Sequence, residues 1–250
     1  MSETENIGKL DPENYSGKTM TMLNRLNHHK INYDLIESII QYICHHNHEK
    51  RGCILVFLPG LTEIRRLHNA LFTASWIGRD KSRYRIYPLH SALSSSEQSS
   101  VFDIPPDGVW KIVIATNIAE TGITIPDVVY VIDSGKVKEI GYDHQRSIST
   151  LREVFVSQSS ALQRRGRAGR VQPGQCFHLF TRHRFESELQ KFQVPEILRT
   201  PLENTCLKIK MIQELTIAEF FKLMITVPSE NMINRSLERL REVCIKLLFL

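Results

Sequence analysis

The fold is decided by a short apolar stretch that closes in a turn, CILVFLPG at residues 53–60. An unbroken apolar run is typical of a strand that is buried on both faces, and the Pro-Gly pair predicts where the strand ends. Apolar residues at helical spacing flank it, at 35–43 before the strand and at 61–71 after it. The sequence therefore predicts a helix, a buried strand and a second helix in succession.

The same alternation continues along the chain. Residues 84–89, 111–116, 128–132 and 175–180 have the apolar and β-branched character of strands, and a capping box predicts a helix over 94–102. Strands that alternate with helices predict an α/β fold, in which a parallel sheet carries helices on both faces. Ligands of such sheets bind at the loops that follow the carboxyl ends of the strands.

The remaining segments set the domain boundaries. Residues 1–31 lack a sustained period, which predicts an irregular lead-in before a main domain at 32–200. Glycines and polar residues punctuate 134–156, which predicts a β-hairpin insertion in that domain. The pattern of 157–170 predicts a helix, and that of 201–250 predicts a helical C-terminal tail of two or three helices.

Composition excludes several classes of protein. The chain has 250 residues, 42% hydrophobic and 24% charged, which is typical of soluble proteins with one or two domains. No apolar run approaches the roughly 20 residues that cross a bilayer, and the polar N-terminus does not resemble a signal peptide. Five scattered cysteines without a C-x-x-C pair, and histidines without acidic or thiol companions, indicate neither a disulfide framework nor a metal site. We expect a cytoplasmic or nuclear protein without a membrane partner.

Positive charge is concentrated in one block. The net charge of the chain is +5, yet residues 154–185 contain six arginines and no acidic residue, so the rest of the chain is nearly neutral. A cationic block in a nearly neutral chain predicts a local anionic partner, and phosphate is the first candidate.

The centre of this block is the octapeptide QRRGRAGR at 163–170. On a helix, Gln163, Arg167 and Arg170 would share one face beside a bare stripe of two glycines. The glycines would cost about 1 kcal/mol each relative to alanine, and a multivalent anion would offset that cost and the repulsion between the arginines. Arginine suits phosphate because its planar guanidinium binds two oxygens at once. A solvated basic helix face is the alternative interpretation.

The octapeptide resembles motif VI of superfamily 2 helicases. ATNIAETGITI at 115–125 resembles motif V of the DEAH/RHA (DExH-box) RNA helicases, ILVFLPG at 54–60 resembles motif IV, and PLHSAL at 88–93 resembles the motif that follows it. The four motifs stand in the order of the family. On this resemblance the chain is identified as the second RecA-like lobe of such a helicase, with the start of the winged-helix region that follows it at 201–250.

The resemblance implies a role in ATP hydrolysis. In this family the two lobes face each other across a cleft that holds ATP and Mg²⁺, and motif VI supplies arginine fingers. Arg167 and Arg170 stand at the matching positions and would neutralise charge on the transferred phosphoryl group, with Gln163 ordering that end of the site. Such a finger contributes on the order of 10³ to 10⁵ in rate. The magnesium ligands would come mainly from the first lobe.

The resemblance also assigns nucleotide contacts. Thr124 matches a position on the nucleotide side, and Phe102 matches the aromatic residue that stacks on adenine in relatives, with an ordinary core phenylalanine as the alternative. Relatives carry an aspartate two residues after the threonine, whereas this chain has Pro126 there and Asp127 one residue later. Asp127 is therefore the candidate for that contact.

Four residues match positions that touch the RNA sugar-phosphate backbone: Thr116, Asn117, Gly60 and Ser91. Hydroxyl, amide and backbone N–H groups bind phosphates without reading bases, so this resemblance implies RNA binding with little sequence specificity. The basic residues of the hairpin are further candidates for backbone contacts, namely Lys136, Lys138 and Arg146.

Parts of the family's machinery are absent from this chain. It contains no D-E-x-H box, and Ser16-Gly17-Lys18-Thr19 lacks the earlier glycine of a phosphate-cradling loop, since that place is Pro12. The first RecA-like lobe of the same protein is therefore the expected partner, and the chain alone should hydrolyse ATP negligibly and bind RNA weakly. Regulatory proteins are further candidate partners of this lobe.

Two rival interpretations belong to other classes. The first is a non-catalytic module for RNA binding or protein interaction that keeps the fold of a helicase lobe. The second is a small-molecule enzyme on a dinucleotide-binding fold. The sequence argues against this interpretation because no G-x-G-x-x-G follows a predicted strand.

Overall fold

A computed structural model describes residues 16–27, 29–46, 52–94, 98–143, 148–170, 172–212 and 215–248. The contacts between residues divide the chain into two compact units. The first consists of the described residues of 1–138 together with 153–193, and the second of those of 139–152 together with 194–250.

The first unit is built on a five-stranded parallel sheet. Its strands are β1 (Cys53–Phe57), β2 (Tyr84–Leu89), β3 (Trp110–Ala115), β4 (Val128–Asp133) and β7 (Gln175–His178), and they lie in the order β2-β3-β1-β4-β7. The three central strands are buried at every residue, as their continuous apolar sequences require. The predicted positions of these strands are confirmed.

Helices cover both faces of this sheet. The helices of this unit are α1 (Gly17–Arg25), α2 (Tyr33–His46), α3 (Leu61–Thr73), α4 (Ser75–Gly78), α5 (Ile118–Thr121) and α6 (Gln158–Arg165), with 3₁₀ turns at Lys81–Arg83 and Ser100–Phe102 and a π turn at Arg184–Glu188. Apolar side chains of α2, α3 and α4 pack on one face, and those of α5 and of the turn after α6 pack on the other. This confirms the predicted α/β class.

Hydrogen bonds between strand ends align the carboxyl edge of the sheet. The N–H of Leu58 donates to the carbonyl of Ala115 (2.8 Å), Thr116 N–H to Leu89 (3.3 Å), and Ser134 N–H to Phe57 (3.3 Å). Because all the strands are parallel, the residues that follow β1, β2, β3 and β4 lie along this one edge.

The predicted hairpin is present as β5 (Lys136–Asp143) and β6 (Ile148–Phe155), which form a separate two-stranded sheet. The chain enters it through Gly135, whose φ of 70° lies in the left-handed region that favours glycine. The ring of Phe180 occupies the space that a Cβ of Gly135 would need, so glycine is required there for two reasons.

The second unit has its own apolar core. Its helices are α7 (Glu203–Ile212), α8 (Ile217–Lys222) and α9 (Glu230–Leu248), and a 3₁₀ turn at Glu196–Leu198 precedes them. Leu202, Cys206, Ile209 and Phe221 form the buried centre. The helical tail predicted for 201–250 is therefore present; its assignment to a winged-helix region stays a prediction. None of the helices in the described ranges is long and apolar enough to span a bilayer.

The predicted lead-in and the helix predicted over 94–102 are present only in part. The lead-in is not irregular throughout, because Ser16 accepts a hydrogen bond from Thr19 N–H (3.2 Å) and caps α1. Thus Gly17-Lys18-Thr19, which resembles part of a phosphate-binding loop, forms the first turn of this helix. The helix predicted over 94–102 falls partly on residues 95–97, which lie outside the described ranges; its end is the 3₁₀ turn Ser100–Phe102.

Gly174 offers a direct test of the close approach between β7 and its neighbours. A Cβ at this position would overlap the carbonyl oxygens of Ala168 and Val129, and backbone atoms cannot move aside as a flexible side chain can. Gly174→Ala should therefore destabilise the first unit by about 3 kcal/mol and lower its Tm by roughly 6–12 °C in a calorimetric scan. Gly78→Ala is the matched control, because no atom lies within 4 Å of its Cβ position. Equal Tm values for the two variants would contradict this prediction.

Candidate functional site

The arginine-rich octapeptide does not form one continuous helix. Helix α6 is capped by Ser157 and ends at Arg165, and Gly166 N–H donates to Leu162 O (2.9 Å). The next two backbone N–H groups then bond three residues back, which is a tight turn: Arg167 to Arg164 (3.0 Å) and Ala168 to Arg165 (3.1 Å). The helix predicted over 157–170 was therefore wrong beyond Arg165. Two glycines in four residues favour a turn over helix continuation because glycine gains most entropy outside a helix.

Arg167 and Arg170 nevertheless reach the same neighbouring loop. Arg167 is buried, and its Nη1 donates to the carbonyl of Ile123 (3.0 Å). Arg170 is exposed, and its Nη1 donates to Thr124 Oγ1 (2.8 Å). Gln163 is exposed on the last turn of α6. The structure thus brings Arg167, Arg170 and Thr124 together, through a turn rather than through one helix face.

The pKa of Arg167 is shifted by its surroundings. Burial lowers the pKa of its guanidinium below the ordinary value for arginine, the nearby Arg170 lowers it further, and Glu120 raises it in part. A guanidinium starts so far above neutrality that Arg167 keeps its proton at physiological pH. The turn therefore presents two fixed positive charges to the loop at 123–124.

Phe102 closes its 3₁₀ turn with 42% of its surface exposed, whereas Val101 beside it is fully buried. An exposed ring is not an ordinary core phenylalanine and is accessible for stacking on a ligand. Pro105 and Pro106 follow within four residues.

A buried lysine that the sequence did not single out joins the loop of Phe102 to that of Thr124. Lys111 lies in β3 with its side chain fully buried, and its Nζ donates to Asp103 O (2.9 Å) and to Asp127 Oδ1 (2.8 Å). The N–H of Cys53 also donates to the carbonyl of Asp127 (2.7 Å). Asp127 is therefore held in an ion pair at the start of β4, and its assignment as a nucleotide contact stays a proposal.

Arg164 organises the interior beside this turn and was also missed. Its Nε donates to Glu120 Oε2 (3.0 Å) and its Nη1 to Asp133 Oδ1 (2.8 Å), and the side chain is fully buried. The guanidinium lies 4.9 Å from the ring centre of Phe57, and Nη1 also contacts the carbonyl of Lys136 (3.3 Å). One cation thus holds α5, α6, the end of β4 and the base of the hairpin.

Asp133 is the deepest partner in this network. Burial alone would raise the pKa of its carboxyl group, but the Arg164 guanidinium, the His178 Nδ1 atom 3.3 Å from Asp133 Oδ2 and the N–H of Gly135 outweigh burial, so the pKa lies below the ordinary 3.8. Asp133 also accepts from Gly135 N–H (2.9 Å), and Glu120 accepts from Ser160 Oγ (2.5 Å). Asp133 and Arg164 are therefore both ionised at neutral pH.

The four residues assigned to RNA backbone contacts follow three adjacent strands at the carboxyl edge. Ser91 and Asn117 are exposed after β2 and β3, while Thr116 is buried. Gly60 is buried after β1, where Lys138 and Glu63 form an ion pair (2.7 Å) over it.

The hairpin cations are more constrained than their sequence suggested. Lys136 is buried, lies 3.6 Å from the ring centre of Phe155 and is 3.8 Å from Glu153. Lys138 is paired with Glu63, and Arg146 lies outside the described residues. Of the two lysines, only Lys138 has its side chain partly accessible.

No group of three His, Cys, Asp or Glu side chains in the described ranges is arranged to hold a metal ion.

The sheet, the strand-end residues and the arginine turn together are those of a RecA-like helicase lobe. Residues 33–172 match the family model of the helicase conserved C-terminal domain. The chain belongs to this family, as the C-terminal lobe of a DEAH/RHA helicase.

Named relatives agree with this assignment. Human "Putative ATP-dependent RNA helicase DHX57" is 48% identical over 231 residues, covering 90% of this chain and 16% of the relative. Human "ATP-dependent DNA/RNA helicase DHX36" is 47% identical over 229 residues, covering 92% and 22%. The chain thus spans less than a quarter of the length of these relatives.

A solved structure shares the fold. The crystal structure of Escherichia coli DEAH/RHA helicase HrpB superimposes with a TM-score of 0.71 and 28% identity, over 85% of this chain and 26% of that protein.

Proposed function

We propose that this chain is the second lobe of an ATP-dependent RNA helicase and supplies arginine fingers to ATP hydrolysis. One observation carries the proposal: Arg167 and Arg170 leave the same turn and both bind the loop at Ile123 and Thr124. Two permanent cations aimed at one loop suit an anion of high charge density, such as the terminal phosphates of ATP.

The residues divide into two roles around the nucleotide. Arg170, which is exposed, contacts the γ-phosphoryl oxygens, and the buried Arg167 supports it with a second charge. Gln163 orders that end of the site, Thr124 and Asp127 contact the nucleotide, and the exposed ring of Phe102 stacks on the base. Magnesium, held mainly by the first lobe, would neutralise charge on the β- and γ-phosphates.

The carboxyl edge of the sheet contributes the second half of the function. Thr116, Asn117, Gly60 and Ser91 contact the sugar-phosphate backbone of single-stranded RNA. Contacts of this kind position the strand without reading its sequence. Glu120 lies in α5 just after Asn117 and pairs with Arg164 at the end of α6, so a buried ion pair joins this edge to the arginine turn.

The proposal predicts that ATP hydrolysis needs both lobes. The 250-residue chain alone should show no RNA-stimulated release of phosphate above background, because no more than half of the site is present. A polypeptide that joins it to the first lobe of the same protein should hydrolyse ATP and respond to single-stranded RNA. RNA-stimulated turnover by the isolated chain that disappears in Arg170→Ala would contradict the prediction.

The same measurement distinguishes the proposed function from the non-catalytic alternative. A two-lobe polypeptide that binds RNA but releases no phosphate would support an RNA-binding or protein-interaction module that keeps the fold.

A further inference from the structure

A polar cavity of about 220 Å³ lies between the start of α2, the segment before it and α3. Asn27, Lys30, Asn32 and Tyr33 line it from one side and Arg66 from the other. The Arg66 guanidinium lies 4.4 Å from the ring centre of Tyr33, which fixes its position at the wall. The cavity is open to solvent and lies wholly within the first unit.

Its lining offers hydrogen-bond donors rather than acceptors. The side-chain oxygen of Asn27 already accepts from His29 N–H (2.9 Å), and that of Asn32 from Leu35 N–H (3.0 Å). Both amides are therefore left with their NH₂ groups for a ligand. Burial and the neighbouring Glu63 raise the pKa of Tyr33 above its ordinary 10.0, so its phenol keeps an O–H at neutral pH.

The charged side chains of the lining also favour an anionic ligand. Neither Lys30 nor Arg66 has a carboxylate partner among the residues that the structure describes. Among the described residues that line the cavity, Asp34 is the only acidic one, and it is exposed. Two cations against one anion, with three neutral donors, favour a phosphate group over a cation or an apolar ligand.

The cavity adjoins the carboxyl edge of the sheet. Arg66 lies one helical turn beyond Glu63, whose ion pair with Lys138 covers Gly60. A neighbouring hollow shares Asn27 and Lys30 with the cavity and reaches Ser134, the first residue after β4. A strand that passes Ser91, Thr116 and Gly60 is therefore led toward this cavity.

We infer that Lys30 and Arg66 bind a backbone phosphate of single-stranded RNA, one step beyond Gly60 on the strand's path. The inference rests on the proposed function, because it extends the same RNA track. Asn27, Asn32 and Tyr33 complete the phosphate site with neutral donors. The site recognises the phosphodiester alone and adds no base preference.

The test measures binding of a fluorescent oligouridine to the 250-residue chain at low salt by anisotropy. The double variant Lys30→Met with Arg66→Met should bind about tenfold more weakly, as expected for the loss of charge-assisted hydrogen bonds. The slope of log K against log salt should also become shallower by about 0.7, the value for one phosphate contact on a single strand. Lys18→Met with Arg65→Met is the matched control, because it removes the same charge from exposed positions outside the cavity.

Each other outcome overturns a defined part of the inference. Unchanged affinity in the cavity variant, or an equal loss in the control, removes the site. If Thr116→Ala with Asn117→Ala weakens binding while the cavity variant does not, the proposed RNA edge stands and the cavity fails; the reverse result supports the cavity and overturns the edge. No binding by the unaltered chain at low salt overturns both.

Inorganic phosphate tests whether the cavity binds a free anion rather than a phosphate of RNA. Added at constant ionic strength, it should weaken RNA binding by the unaltered chain and have little effect on the cavity variant. If calorimetry shows that the cavity variant loses inorganic phosphate while its RNA affinity is unchanged, the cavity is a free-anion site and the RNA assignment is wrong.

Discussion

Arg170→Ala should lower RNA-stimulated ATP hydrolysis by about 10³-fold or more in the polypeptide that joins this lobe to its first lobe. The Arg170 side chain is exposed and its Nη1 lies 2.8 Å from Thr124 Oγ1, so its removal takes away a charge at the proposed nucleotide site without disturbing the core. The loss should appear in kcat rather than in KM, because the charge develops on the phosphoryl group during its transfer. Steady-state phosphate release at saturating ATP measures it.

Arg165→Ala is the control for this prediction. Arg165 is also exposed and ends α6, yet it is not one of the residues that bind the loop at 123–124. We expect its rate to stay within about threefold of the unaltered protein, since surface charges act weakly across water. Equal rates for Arg170→Ala and Arg165→Ala would remove the finger assignment. Arg167→Ala should resemble Arg170→Ala in rate and should also lose stability, because Arg167 is buried.

Arg164→Met should destabilise the first unit by about 3–5 kcal/mol, which is the usual effect of removing one partner from a buried ion pair. Glu120 would lose its cation, and Asp133, which is fully buried, would keep a negative charge without a counter-ion. Thermal unfolding should show the loss as a decrease in Tm. Arg165→Met tests the same substitution at an exposed position of the same helix and should leave Tm nearly unchanged. A stable Arg164→Met variant would contradict the role of this network.

Low pH should also remove the stability that the ionised Asp133 contributes to the first unit. The pKa of Asp133 is lower in the folded state than its ordinary 3.8, so the folded state binds protons less readily than the unfolded one. The contribution of Asp133 is therefore present above about that ordinary value and is lost as the pH falls below it. Arg164→Met should show a weaker dependence of stability on pH in this acid range.

Most of the fold could be predicted because it depends on local patterns. Continuous apolar runs such as 53–58 identified buried strands, and the glycines and polar residues that follow Asp133 identified the hairpin. The predicted ends of the helices were less accurate. Arg165 and Gly166 mark the end of α6, where the helical spacing of the arginines continues in the sequence but the backbone bends into a turn.

The candidate site was predictable only in part. The motifs identified residues that the family resemblance assigns to ligand contacts, and these assignments remain predictions. Lys111 and Arg164 were missed because their partners lie 16 to 44 residues away along the chain. A signal existed: Glu120 is the only acidic residue in the motif at 115–125, and Asp133 closes a buried strand, so each needed a buried cation. Their pairing required the tertiary fold.

The hairpin has a practical consequence for anyone who wishes to study either unit by itself. Its inner ends belong to the first unit, while residues 139–152 belong to the second, so the chain passes between units at 138–139, 152–153 and 193–194. A truncation near residue 193 would therefore remove the C-terminal helices but leave residues 139–152 of the hairpin without the rest of their unit. Clean separation needs an internal deletion, with a short turn that reconnects Lys138 to Glu153, together with the truncation.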